Sequence, residues 1–247
     1  MKNKTIITLY FLFACTATWA QNNTINVDHF EKVIVSPHIQ ATFVHGDNEK
    51  VQIESNTDSD DKINVEVNGK TLRIYLDGAK EVTKNEKVNK DGYKRSKSIY
   101  NGTVLIVTIT YTNLKELSLR GEEKFICESP LKGDQFRLKI YGESQVYLNE
   151  VSLDELHATV YSESYLEIKN GNVNSQKFTA YGETKINTLG VSNKFTKIIA
   201  YGEGSYRVNV SDRLKVTAYG EATVAYKGNP DIDKGIVIGE ATIQRIQ

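Results

Sequence analysis

Tyr181-Gly182-Glu183-Thr184-Lys185-Ile186 is one of seven near-copies of a single unit. The series runs Arg120-Gly121-Glu122, Tyr141-Gly142-Glu143, Tyr161-Ser162-Glu163, Tyr181-Gly182-Glu183, Tyr201-Gly202-Glu203, Tyr219-Gly220-Glu221 and Ile238-Gly239-Glu240. Successive glutamates are 21, 20, 20, 20, 18 and 19 residues apart. A period near twenty marks a solenoid, in which each unit stacks on the one before it.

The residues around the unit alternate with the two-residue period of a strand. Phe178, Ala180, Gly182, Thr184, Ile186 and Thr188 form an apolar or small set, which is expected to face inward. Thr179, Tyr181, Glu183, Lys185 and Asn187 form the outward set. Leu138 to Leu148 and Val216 to Tyr226 repeat the layout, and Leu189, Val191 and Phe195 are expected to point inward from a return segment. About twenty residues in two or three short strands make one turn of a parallel β-helix. A single coil cannot bury its own apolar face. Coils stacked about 4.8 Å apart bury a common core and pair every backbone group. Inward Gly142, Gly182, Gly202 and Gly220, next to small Ala180, Ala200 and Ala218, imply a narrow lumen or a bend in the strand. Ser162 is the break in this series.

Residues 25–76 also alternate, with Val33 and Val35, then Ile39, Ala41 and Phe43, then Ile63, Val65 and Val67. His45-Gly46-Asp47-Asn48 is a turn signal, and Asn68-Gly69 is a hairpin signal before Leu72, Ile74 and Leu76. The N-terminal part should therefore contain antiparallel strands. Residues 77–102 break the pattern with seven lysines and arginines and few apolar residues, which reads as a solvated, mobile excursion. A basic contact loop is the sharper alternative. Val104 to Ile109 form a strong strand, and the repeats occupy 117–247.

The chain has 247 residues and a formal net charge of zero, which gives no reason to expect nucleic acid as a partner. Lys2 and Lys4, the apolar run Ile6 to Ala14 and the small residues of Thr18-Trp19-Ala20 read as a signal peptide over 1–20. The run is too short to span a bilayer. The expected destination is the periplasm, the outer-membrane surface or the extracellular space. Leu12-Phe13-Ala14-Cys15 is a loose lipobox, and lipidation at Cys15 is the rival reading. The remaining Cys127 falls at a core position and reads as an inert buried thiol.

Several pieces in order resemble the head GIN domain family of putative auto-transporter adhesins, common among secreted proteins of Bacteroidetes. They are Phe30 to Val35, Gly46 to Glu54, Leu72-Arg73-Ile74, the strand at 104–109, Leu114 to Leu119, and Tyr226-Lys227-Gly228-Asn229-Pro230. The resemblance spans roughly 30–247. It implies a right-handed β-helix-like domain, over 25–247 here, that is exported and has no established activity. The family's repeat is usually small at every position. Tyrosine and glutamate stand at those outward positions here, so any chemistry built on them belongs to this chain.

Two outward stripes follow. One holds Tyr141, Tyr161, Tyr181, Tyr201 and Tyr219, and the other holds Glu143, Glu163, Glu183, Glu203 and Glu221 with Glu122 and Glu240 beyond them. Neighbouring carboxylates about 4.8 Å apart repel by roughly 0.9 kcal/mol in bulk water, and Lys124 and Lys185 are placed to offset this diagonally. In the structural reading the tyrosines are a stabilising stack and the glutamates a solubilising face. In the functional reading the two stripes are a linear strip that binds glycan or protein, with rings for sugars and carboxylates for hydroxyls or Ca²⁺. Catalysis is the third reading, since parallel β-helices carry carbohydrate-active enzymes, and glycosidases use paired carboxylates. Repeat symmetry argues against it, because no pair is set apart from the others. His29, His38, His45 and His157 lack ligand spacing, and Asp58-Ser59-Asp60-Asp61 lacks a calcium-loop pattern. The expectation is a non-enzymatic, adhesin-like module with no catalytic residue, metal site or cofactor. The alternatives are a carbohydrate-active enzyme and a structural envelope protein that self-associates through its coil ends.

Overall fold

The computed structural model describes residues 23–90 and 93–247, so the leader expected over 1–20, with Cys15, lies outside the described residues. The strands are β1 (Asn23–Asn26), β2 (Lys32–Val35), β3 (Ile39–His45), β4 (Lys50–Asn56), β5 (Ile63–Asn68), β6 (Thr71–Leu76), β7 (Asn85–Lys90) and β8 (Tyr93–Ser98). They continue with β9 (Leu105–Tyr111), β10 (Glu116–Gly121), β11 (Lys124–Cys127), β12 (Leu131–Gly142), β13 (Gln145–Tyr161), β14 (Tyr165–Tyr181), β15 (Thr184–Lys227) and β16 (Asp231–Arg245). The later runs are long because each continues around corners of the coil.

The architecture is a parallel β-solenoid with antiparallel strands near its N-terminal end. Every coil contributes one side chain to each inward row. One row runs Leu72, Val33, Leu117, Leu138, Ala158, Phe178 and Ile198 in direct register. A second runs Val107, Ala41, Phe125, Val146, Leu166 and Ile186. All of these are at most 1% exposed and belong to one continuous core. Burying a large side chain of this kind is worth about 1.5–3 kcal/mol relative to leaving it in water, and the repeat supplies two or more per coil.

The register also shows that chain order and stacking order differ at the N-terminal end. β2 and β3 enter the second layer. The strand β6 then stacks on one side of β2, and β10 takes the other side. Likewise β9 and β11 flank β3. The turn at His45–Asn48 therefore does not close a hairpin between paired strands, because β9 lies between β3 and β4. The Asn68-Gly69 hairpin forms as the sequence implies, with β5 antiparallel to β6 and Gly69 at φ 60.

The inward assignments of the corner glycines and of Phe195 need correction. Gly182 is exposed, and its φ of 97 makes it a corner rather than a lumen residue. Tyr181, Gly182 and Glu183 all face out, and Thr184 resumes the inward row. Gly142, Gly202 and Gly220 share this conformation at φ 99, 106 and 129, so the bend is the correct half of the sequence alternative. A Cβ on Gly142 would sit 2.3 Å from the Gly121 carbonyl oxygen of the coil before it. Ser162 turns the same corner at φ 62, in the left-handed region that an L-residue can occupy at some strain. Phe195 is 42% exposed, because Asn193 and Thr196 both turn inward and leave the two residues between them outside.

The excursion at 77–102 carries its own two-stranded ribbon, β7 against β8, where the composition suggests only a loop. It is anchored at its base by buried Ala79 and Tyr100, and the Ser36 hydroxyl donates to the Lys80 carbonyl at 2.7 Å.

Candidate functional site

The Gly corner projects each tyrosine from the end of one strand row and each glutamate from beyond the bend. The in-register pairs Arg120 with Tyr141, Tyr161 with Tyr181 and Tyr181 with Tyr201 place one residue per coil at the same point. The tyrosine rings stack with centroids 4.8, 4.9, 4.8 and 4.9 Å apart and planes within 8° of parallel. Strand spacing imposes the separation, and it falls in the range favoured by aromatic pairs. Each inner ring has neighbours on both faces. What it offers to solvent is its edge and its hydroxyl, with Tyr181 37% and Tyr201 38% exposed. Burial, followed by the adjoining Tyr141 and Tyr181, raises the pKa of the Tyr161 hydroxyl.

Arg120 closes the head of the stack. Its guanidinium lies 4.8 Å from the Tyr141 ring centroid, a cation–π geometry. Glu81 holds it there. One Glu81 oxygen pairs with Arg120 at 2.5 Å and the other with Arg73. This link leaves no trace in the sequence, because Glu81 sits in the Lys-rich excursion and its partners lie on two other strands.

Glu143, Glu163, Glu183, Glu203 and Glu221 are exposed and border a shallow groove of about 580 Å³. None of them takes part in a salt bridge among the described residues. Lys185 lines the same groove. Lys124 instead lies 5.2 Å from the Tyr147 ring. Among the described residues, no three His, Cys, Asp or Glu side chains converge in a way that would hold a metal ion. The strip is thus a row of separate carboxylates beside a row of phenol edges.

Beneath the strip, buried hydroxyls lock the corners. Ser144 donates to the Gly121 carbonyl at 2.8 Å, and Ser164 donates to that of Gly142 at 2.6 Å. At the first corner the equivalent residue is Glu123, only 5% exposed, whose carboxylate accepts the Glu122 amide at 2.9 Å. Burial raises the Glu123 pKa, and the amide bond opposes the shift. Glu123, His38, Thr83, Arg120 and Tyr141 border a cleft of about 660 Å³ at the head of the ladder.

A larger groove of about 1130 Å³ follows a different corner. Lys132, Ser152, Asn172 and Ser192 line it in register, and Leu153 and Val173 form part of its floor. The same twenty-residue period in Ser152, Asn172 and Ser192 is the signal that could have found it. At its far end the groove meets a buried polar network. The Gln176 amide donates to Thr196 at 2.9 Å, Thr196 donates to Asn193 at 2.7 Å, and Asn193 donates to the Asn209 carbonyl.

The other singled-out residues have local partners. His29 contacts Glu49 at 3.0 Å, His38 contacts Thr83 at 2.7 Å, and His157 lies 3.6 Å from Glu155. Asp58 pairs with Lys62 at 2.9 Å. Cys127 is buried 3.7 Å from the Tyr111 hydroxyl, and burial pushes its thiol up to about 12.

The profile of the family described as "Putative auto-transporter adhesin, head GIN domain" matches residues 29–230. No curated protein shows significant sequence similarity to the chain. Among solved structures, a putative adhesin from Bacteroides fragilis superposes with a TM-score of 0.76 at 18% identity, covering 91% of this chain and 96% of that one. A putative adhesin from Parabacteroides distasonis gives 0.67 at 20% identity, with 91% and 96% covered. A protein from the same species, described as a putative lipid binding protein, gives 0.62 at 19% identity, with 92% and 96% covered. At these identities the likeness is one of fold.

Proposed function

Since the chain belongs to the family described as "Putative auto-transporter adhesin, head GIN domain", we propose that it is an exported, non-enzymatic surface module that holds an external ligand along its Tyr/Glu strip. The observation that supports this reading most is the five-ring stack, repeated at one pitch beside a carboxylate row and headed by a fixed arginine. A repeated unit of donors and acceptors suits a repeating ligand. Because the inner rings cover one another's faces, contact falls to phenol hydroxyls, ring edges and carboxylates. That chemistry favours a hydroxyl-rich chain, and glycan is the ligand class we assign. The binding residues in this reading are Tyr141, Glu143, Tyr161, Glu163, Tyr181, Glu183, Tyr201, Glu203, Tyr219 and Glu221. Export rests on the leader pattern at 1–20. The non-enzymatic assignment rests on repeat symmetry, which gives the carboxylates equivalent surroundings.

A glycan array, run with and without Ca²⁺, tests the strip. Tyr181→Ala and Glu183→Gln should each lower binding of any ligand found at least about tenfold, the loss expected for a central contact. Asn172→Ala, in the larger groove, should leave it unchanged. Loss with Asn172→Ala alone would move the site to that groove. Release of reducing sugar from a bound polysaccharide would overturn the non-enzymatic assignment.

A further inference from the structure

The two ends of the solenoid are built differently. At the N-terminal end, antiparallel β5 closes the row that ends in β6, and antiparallel β4 and β1 close the row that ends in β9. At the other end, among the described residues, β16 pairs only with β15. Its inward residues Ile232 and Val237 are 38% and 37% exposed. Their in-register counterparts Leu214 and Ala218, one coil earlier, are fully buried. Ile236 and Ile238 are 61% and 63% exposed beside them. Ala241 and Ile243, in register with Ala222 and Val224, extend the same apolar surface and are only partly buried. The core thus runs out into solvent at this coil, which a solenoid end must ordinarily cover.

We propose that this coil end is the interface of a two-fold dimer, with a second copy of the chain seated on it end to end. Its own layout carries the choice of partner. Gly239, at φ 109, turns β16 into two limbs. The limb before the corner bears Asp231 and Asp233, and the limb after it ends at Arg245. A two-fold axis near Gly239 lays the first limb of one copy on the second limb of the other. Val237 then meets Ala241 of the second copy, Ile232 and Ile243 flank that contact, and the acidic start of one limb comes near the other copy's Arg245. Asp231 and Arg245 have no salt bridge within the chain among the described residues, so both are available. Asp233 is already held by Arg213 and Lys215, the latter at 3.0 Å.

The same geometry limits the assembly to two. Among the described residues one end of the solenoid is open, so an isologous contact joins two such ends and leaves the antiparallel ends of β5 and β1 outside. The register shift between Val216 and Ala218 kinks β16 and keeps it from serving as a straight template for continued strand addition.

Size-exclusion chromatography with light scattering on the purified protein tests this. The expected result is twice the chain mass, with no larger species as concentration rises. Ile236→Lys combined with Ile238→Lys should give the single-chain mass with an unchanged circular dichroism spectrum, since both positions are already exposed in the single chain. Asp231→Arg and Arg245→Asp should each raise the dissociation constant, by up to about fivefold for a rim ion pair, and the double reversal should restore it. A wild-type protein that stays monomeric overturns the proposal. So does a dimer that survives the double lysine change, which would place the contact elsewhere. Assembly that grows without limit would overturn the two-fold geometry.

Discussion

The corner glycines carry the coil, and the chain contains its own control for what they supply. Gly142 and Ser162 occupy equivalent corners, but Gly142 has φ 99 and Ser162 φ 62. A side chain at Gly142 would be strained by that backbone angle and would strike the Gly121 carbonyl oxygen. Gly142→Ala should therefore destabilise the fold by roughly 2 kcal/mol or more, combining about 1–2 kcal/mol for a left-handed L-residue with the clash. Ser162→Gly relieves a comparable strain but adds about 0.5–1 kcal/mol of chain entropy to be lost on folding, so its net effect should stay within about 1 kcal/mol of zero. Urea unfolding of the two variants beside wild type measures the contrast, and equal losses would sink this account of the corner. The same residues show where alternation misleads. Glycine at an inward position and glycine at an outward corner look identical in a period of two. Only the backbone angle separates them, and Ser162, the break in the series, was the one hint that the position is not in the lumen.

At the scale of the strand rows, the inward sets were legible because each row repeats its residue class. Phe178 and Ala180 before the corner, and Thr184 and Ile186 after it, keep the period on either side. The outward stripes were legible for the same reason, and the stack of rings follows from strand spacing alone. What the stripes touch was not legible. Arg120 reads as a degenerate first copy of the repeat, whereas its guanidinium caps the stack and is held by Glu81 from the excursion. The stack has a mechanical consequence that is separable from ligand binding. Tyr181 contacts a ring on each side, at 4.9 and 4.8 Å. Tyr181→Ala should lose both contacts and destabilise the protein by roughly 1–3 kcal/mol, at about 0.5–1.5 kcal/mol per aromatic pair. Tyr181→Phe should retain nearly all of that stability, since the ring remains and its hydroxyl makes no hydrogen bond among the described residues. If Tyr181→Phe nevertheless weakens the ligand, the hydroxyl is the contact and the ring is the scaffold. A thermal melt of both variants, paired with the binding measurement, separates the two roles.

For the whole molecule, the sequence announced a solenoid but not its layer order. The repeats stack in chain order, so their register could be read from spacing. The N-terminal layers do not, because β6 and β9 return to the outer side of β2 and β3 and β10 continues from the inner side. Strands that are neighbours in space but distant in sequence leave no periodic trace. That rearrangement gives one end an antiparallel closure and leaves the other end bare, and it predicts a gradient of local stability. In a stacked array each coil is held by its neighbours, so a coil with one neighbour opens most readily. Amide exchange on the protein carrying Ile236→Lys and Ile238→Lys isolates this effect from any second copy. Residues 231–245 should exchange fastest by fraying, residues 213–226 more slowly, and the buried rows of β10 to β13 only at the rate of global unfolding. The layer of β2 and β3 should match that last group, because a coil covers it on both sides. Protection as high in β16 as in β2 would mean that the terminal coil is stabilised within the single chain, and that its exposed isoleucines do not mark an open end.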